Sequence, residues 1–171
     1  LEHTFVDLGK TPLANSYLRD LAGDLAREKA FPLHARVCSS CFLVQVDDAV
    51  PPGEIFSDYA YFSSFSDSWV AHAKRYSEAM QQRFGLGGTS LVVEIASNDG
   101  YLLQHFVAAG VPVLGIEPAA NVAEVARVKG VATEIMFFGE ATARSLADRG
   151  IAADLMAANN VLAHVPDIGD F

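Results

Sequence analysis

LVVEIASNDGYLLQ, residues 91–104, is the stretch on which the reading of this chain turns. Residues 91–95 form an apolar run interrupted only by Glu94, and the run ends abruptly in small and polar residues. Gly100 follows, and then an apolar-periodic stretch from Tyr101 onward. This order predicts a buried parallel strand, a tight turn and the first turns of a helix. In doubly wound folds such a turn is where a nucleotide-type cofactor sits. Glu94, Ala96, Asn98 and Gly100 lie two apart, and the dinucleotide fingerprint Gly-x-Gly-x-x-Gly is absent. Ala96 is small enough for close backbone approach, and Asn98 tolerates positive φ better than most residues. An ordinary strand-to-helix turn without a ligand is the competing reading.

A second apolar run, residues 111–116, ends in Glu117-Pro118. An acidic side chain at the end of the second strand, some twenty residues past the glycine turn, is placed to accept hydrogen bonds from ribose hydroxyls. Pro118 suits the first turn of the following helix. From there the pattern alternates. Strands are predicted at 91–96, 112–116, 131–135 and 153–158. Helices are predicted at about 100–109, 119–129 and 140–149, stopped by Gly110, Gly130 and Gly150. Repeated βα units with short loops mean a parallel sheet covered by helices.

The segments before residue 89 read differently. Residues 1–56 form a small, loop-rich lobe: a strand and turn at 5–9, a helix within 15–29, and short strands either side of Cys38-Ser39-Ser40-Cys41. The C-x-x-C pair is half a zinc site, a redox pair or two plain thiols. Strand-like flanks favour metal over redox. His3 and His34 are possible substitutes for the missing ligands, but neither has ligand spacing to a partner. Pro51-Pro52-Gly53 marks a joint. Residues 57–88 then hold an aromatic and serine-rich segment, with Tyr59, Tyr61, Phe62 and Phe65, and a helix capped by Ser66 or Asp67 that runs to about Phe84. Trp69, Val70, Ala73, Tyr76, Met80 and Phe84 fall at helical spacing and are read mostly as core, with His72 structural or solvated. Residues 89–171 are the α/β portion.

The chain has 171 residues and a net charge of −9, which argues against a nucleic-acid groove. No apolar stretch approaches membrane-spanning length, and the start lacks a signal-peptide pattern. A cytoplasmic location is the simplest expectation. Both ends look cut, as in a piece of a longer protein. Oligomeric state is not legible.

Several stretches coincide with one family. They are 6–9 with 12–15, 37–41, 59–69, 94–101, 115–118 and 159–167. Glu94 to Gly100 resembles the acidic-x-Gly-x-Gly-x-Gly loop of class I methyltransferases dependent on S-adenosylmethionine, with Ala96 and Asn98 in the first two glycine places. Together the stretches resemble the sugar C-methyltransferases that begin with a zinc-binding domain, and most nearly the nucleotide-sugar 3-C-methyltransferases. The resemblance implies a class I, Rossmann-like α/β fold. This chain would hold the first half of its sheet, preceded by a small zinc-binding lobe. It implies an upstream C-x-x-C that completes a structural Zn2+ site with Cys38 and Cys41. It also implies a downstream lobe that binds the nucleotide-sugar and carries the principal catalytic histidine.

The implied reaction takes a proton from the carbon beside the ketone of a nucleotide-linked 4-keto-deoxysugar, in deoxysugar and antibiotic biosynthesis. The enolate carbon then attacks the cofactor's methyl group. Roles follow by position. Glu117, with Pro118, should hold the ribose. Glu94, Ala96, Ser97, Asn98, Asp99, Gly100 and Tyr101 should wrap the amino-acid end of S-adenosylmethionine. Asn159 and Asn160 should face the cofactor from beyond the fourth strand, and Phe138 should pack on the adenine. His164 should polarise the sugar ketone or relay a proton, and Tyr61 should be an active-site phenol; a structural histidine is the competing reading at 164. A sulfonium also favours nearby aromatic and acidic groups such as Tyr59 and Tyr61. The rival expectations are an O- or N-methyltransferase, a non-catalytic binding module and a nicotinamide oxidoreductase.

Overall fold

The structure is a computed structural model and describes residues 3–47, 50–56 and 58–171. It divides into two compact units, Leu1–Ile55 and Phe56–Phe171.

The first unit is an antiparallel sheet of β1 (His3–Pro12), β2 (Ala30–Val37) and β3 (Val44–Val46), in that spatial order. The turn expected at 5–9 is a bulge inside one longer strand. The register of β1 against β2 shifts between Asp7 and Lys10. There Gly9 takes φ 72 and its N–H donates to the Asp7 carboxylate at 2.9 Å. The helix expected within 15–29 shrinks to α1 (Leu21–Leu25), capped by the Asp20 carboxylate. Its apolar residues explain the shrinkage. Leu21 is 72% exposed and Leu25 58%, so no buried face supports a longer helix. Strands do flank the Cys38–Cys41 knuckle. Among the described residues of this unit only Val50 is buried. A short helix, α2 (Pro52–Phe56), falls at the division.

The second unit starts with an aromatic segment and α3 (Asp67–Phe84). Ser66 Oγ accepts the Trp69 N–H, and Gly85 closes the helix at φ 64. Ala73 is buried and Trp69, Tyr76 and Met80 pack on the core, but Phe84 is 52% exposed at the frayed end of the stripe. The sheet follows, with β4 (Val92–Ile95), β5 (Val113–Ile116), β6 (Thr133–Glu134) and β7 (Leu155–Ala157) all parallel in the order β6-β5-β4-β7. Three helices connect them: α4 (Leu103–Ala108), α5 (Ala120–Val128) and α6 (Glu140–Asp148).

Strand β4 is central and apolar on both faces. Val92 joins Ala73, Leu102, Leu103, Phe106 and Val131 on one side. Val93 joins Leu114, Ile116 and Leu146 on the other. This is why residues 91–95 read as a nearly continuous apolar run. The strand order reverses direction between β4 and β7, which puts the switch point of the fold beside the turn after β4.

Three boundaries differ from expectation. Helix α4 begins at Leu103, because Gly100 sits at φ 76 and the chain turns through Tyr101 and Leu102 first. Pro118 precedes the helix rather than starting it; Ala119 is the cap residue, its N–H held by the Glu117 carboxylate at 2.8 Å. The outer strands are short, two residues in β6 and three in β7. Among the described residues no helix is long and apolar enough to cross a membrane.

Candidate functional site

The turn after β4 is held in an unusual backbone state. Ala96, Asn98 and Gly100 take φ 55, 51 and 76, all left-handed. For alanine that conformation costs about 1 kcal/mol or more. Neighbours hold it in place. The Ser97 N–H donates to Ile116 O at 3.2 Å, and the Gly100 N–H to Ser97 O at 3.1 Å. The Asn98 N–H donates to Glu117 Oε2 at 2.8 Å. Gly100 is also required sterically, since a Cβ there would lie 3.0 Å from Val131 Cγ2 and 3.2 Å from Ala126 Cβ. Beneath the turn, a Cβ on Gly115 would overlap the Ser97 side chain. Strain of this kind persists where the surroundings over-determine it, as at ligand sites.

Two carboxyl groups frame the turn. Glu117 is 4% exposed, and its oxygens accept the N–H groups of Asn98 and Ala119. Each oxygen keeps a second lone pair for a further donor. Burial raises its pKa and the two N–H groups oppose the rise. Glu94 is fully buried, which pushes its pKa up to about 8. Asn159 and Tyr101 favour its anion, and the charges of Glu117 and Asp99 oppose it. Asn159 Nδ2 donates to Glu94 Oε1 at a long 3.4 Å, across the switch point. Three buried atoms around the turn have no hydrogen-bond partner among the described residues: Glu94 Oε2, Ser97 Oγ and Asp99 Oδ1. Orphaned polar atoms beside a strained turn fit a polar, hydrogen-bonding ligand, and the acidic character fits one that is cationic.

A small cavity of about 30 Å³ opens nearby, between Trp69, His72, Ala73, Tyr76, Tyr101, Leu102 and Asn159. Trp69 is stacked against both His72 and Tyr101, with ring centroids at 5.3 and 5.8 Å. Asn160, next to Asn159, takes φ 54.

The cysteine knuckle joins β2 to β3. Cys38 N–H donates to Leu43 O and Phe42 N–H to Cys38 O, both at 3.0 Å, with Phe42 at φ 62. The N–H groups of Cys41 and Ser40, then the Cys41 thiol, lower the Cys38 pKa. Both cysteines are free thiols, and such a turn supplies two thiolates to one tetrahedral metal. Among the described residues no group of three metal-binding side chains forms. His34 does not serve as a substitute ligand. One ring nitrogen lies 2.8 Å from Thr4 Oγ1 and the other 3.2 Å from an Arg36 nitrogen. The donor set fits half of a zinc site.

Residues 1–56 match a methyltransferase-associated family model described as "Putative zinc binding domain". The chain is 36% identical to C-methyltransferase NovU of Streptomyces niveus over 95% of its own length. The two matches together support membership of the sugar C-methyltransferase family. The chain spans 39% of that relative's length.

On this chain the expected residues fall in three groups. Glu94, Ala96, Ser97, Asn98, Asp99, Gly100, Tyr101, Glu117, Pro118 and Asn159 gather at the carboxyl ends of β4, β5 and β7, with Asn160 adjoining. Tyr61 and His164 join a row of rings: Tyr61 meets Tyr59 at 6.3 Å, Tyr59 meets Phe56 at 5.6 Å, and Phe56 meets the exposed His164 at 5.9 Å. Phe138 packs with Val93, Leu114, Ile116 and Leu146 and meets Phe171 edge-on at 5.6 Å.

One feature was not anticipated. The backbone from Tyr59 to Ser64 is strapped across the turn by polar side chains. Asn121 clamps Tyr59, accepting its N–H at 3.0 Å and donating to its carbonyl at 2.7 Å. Asn98 Oδ1 accepts the Ser63 N–H at 2.9 Å, and Asn98 Nδ2 donates to Tyr61 O at 3.0 Å. Asp99 Oδ2 accepts the Ser64 N–H, and Lys129 Nζ donates to Asp99 and to Ser64 Oγ. The amide of Asn98 and the Oδ2 of Asp99 are therefore occupied by the protein. Asn121 and Lys129 carry no local signal in sequence. The one hint is Asn98 itself: an amide kept where glycine is cheapest implies that the side chain is used.

Proposed function

We propose that this chain is the zinc-lobe and cofactor-binding portion of an S-adenosylmethionine-dependent C-methyltransferase. Its substrate is a nucleotide-linked 4-keto-deoxysugar, in deoxysugar and antibiotic biosynthesis, and the reaction passes through an enolate. The observation that supports this most is the turn after β4. Its three alternate left-handed residues stand beside a fixed carboxylate one strand over. This is the backbone that close approach of a nucleoside-type ligand requires.

When bound, the cofactor supplies an electrophilic methyl group. Everything else falls to the protein. Glu117 would hold the ribose, accepting hydrogen bonds from its hydroxyls through the lone pairs its two backbone bonds leave free. The backbone of residues 96–101, with Glu94 and Asn159, would hold the amino-acid end, and Phe138 would pack on the adenine. Glu94 holds a proton at neutral pH, because burial outweighs its neighbours. Tyr61 and His164 would serve the substrate, Tyr61 as a phenol and His164 by polarising the ketone oxygen or relaying a proton; the ring row that links them supports this. Charge that develops on that oxygen when the neighbouring C–H is broken is what such donors stabilise. Cys38 and Cys41 would supply two of the four ligands of a structural zinc.

Calorimetric titration of the full-length protein with S-adenosylhomocysteine tests the cofactor reading. Binding is expected, with at least tenfold loss in a folded Glu117→Ala variant. No binding by the unaltered full-length protein overturns it. Deuterium exchange at the carbon beside the ketone, with S-adenosylhomocysteine in place, tests the enolate; absence of exchange in D2O rules it out.

A further inference from the structure

Among the described residues, Asn98 bonds both the Glu117 carboxylate beside the turn and the aromatic strap. Its main chain sits at φ 51 and its N–H binds Glu117 Oε2. Its side-chain amide bonds Tyr61 O and the Ser63 N–H at once, which satisfies two backbone groups 35 and 37 residues away. Asn98 is buried and its bond to the Ser63 N–H forms out of water, so losing the amide leaves that backbone group unpaired, while the bond to Tyr61 O is half-buried. The strap in turn carries Tyr59 and Tyr61 into the ring row that ends at His164. Glycine would serve the backbone conformation better and would keep the N–H bond to Glu117. Only the strap requires the amide.

We propose that Asn98 is a positioning residue that couples the strap at residues 59–64 to occupancy of the turn. A ligand on Glu117 fixes the carboxylate that holds the Asn98 N–H, and with it the plane from which the amide reaches the strap. The coupling is reciprocal: a docked strap favours the ligand by the same factor that the ligand favours docking. Asn121 and Lys129 hold the two ends of the strap, and Asn98 holds its middle.

This inference rests on the cofactor reading, and two variants keep the two apart. In Asn98→Gly the left-handed turn and the bond to Glu117 remain and only the amide is lost. Hydrogen exchange of the full-length protein without ligand should be at least tenfold faster at the Ser63 amide in this variant, with the amides of β4 and β5 unchanged. Adding S-adenosylhomocysteine should increase protection of residues 59–64 in the unaltered protein and not in Asn98→Gly. The variant's turnover should fall more than its cofactor affinity, because the tyrosines are displaced while Glu117 stays. Asn98→Asp, which keeps the acceptor for Ser63 and loses the donor to Tyr61, should lie between. Unchanged exchange at Ser63, or ligand protection of the strap that persists in Asn98→Gly, overturns the proposal. Failure of the unaltered protein to bind S-adenosylhomocysteine overturns the cofactor reading instead, and the ligand-free exchange still measures what Asn98 holds.

Discussion

Glu94 sits on the middle strand of the parallel sheet, closed off from solvent, with Asn159 and Tyr101 against it and Asp99 and Glu117 close enough to add repulsion. Its carboxyl carries a proton up to about pH 8 in the folded chain, against an ordinary value of 4.5. Between those values the folded state binds a proton that the unfolded state has released. Stability from this group is therefore complete below the ordinary value and is lost as pH rises toward 8. The melting temperature should fall from pH 5 to pH 8, and Glu94→Gln, which stays neutral throughout, should flatten that fall. His105 acts in the opposite sense, because burial lowers its pKa, so the informative quantity is the difference between variant and parent at each pH. A difference that stays constant across the range would show that Glu94 is ionised when folded. Of the other residues at this turn, Ala96 and Asn98 could be read as glycine substitutes through the resemblance to the class I methyltransferase loop, which their two-residue spacing fits. That Asn98's side chain would be consumed by the strap could not, because its partners lie more than thirty positions away in sequence.

Elements with a local code were legible. Helix α3 follows its written signals at both ends, the serine cap and the left-handed Gly85. The apolar runs ahead of Gly100, Glu117 and Asn159 became parallel strands. Where stabilisation comes from tertiary contact instead, the reading overshot. The helix expected within 15–29 has periodic leucines but nothing to bury them against, and β6 and β7 keep only the residues their single neighbours pair with. The knuckle between β2 and β3 is an element of another kind, a turn whose N–H groups converge on one sulfur. Those N–H groups favour the Cys38 thiolate. Iodoacetamide should alkylate Cys38 in metal-free protein at a lower pH than it alkylates Cys41, as read by peptide mass mapping. Equal pH dependence at the two sulfurs would mean that the knuckle does not bias them.

At the scale of the whole molecule, the two units are built on different physics. The second has two apolar layers either side of its sheet. The first is a three-stranded sheet with Phe5, Leu8, Phe42, Val44 and Val46 all exposed and one buried residue among those described. A sheet of that size without a core needs a staple, and a metal on Cys38 and Cys41 would supply one. Chelation of zinc from the full-length protein should abolish hydrogen-exchange protection in β1–β3 and leave β4–β7 protected. Protection of β1–β3 that survives complete zinc removal would exclude a folding role for the metal. The second unit also holds the only tryptophan in these 171 residues, Trp69, pressed between an imidazole and a phenol on the wall of the small cavity. Ultraviolet emission excited at the red edge of absorption, where tyrosine is silent, thus comes from one address in this segment. The fold has placed its own unlabelled fluorescent reporter one side chain away from the asparagine that bonds Glu94.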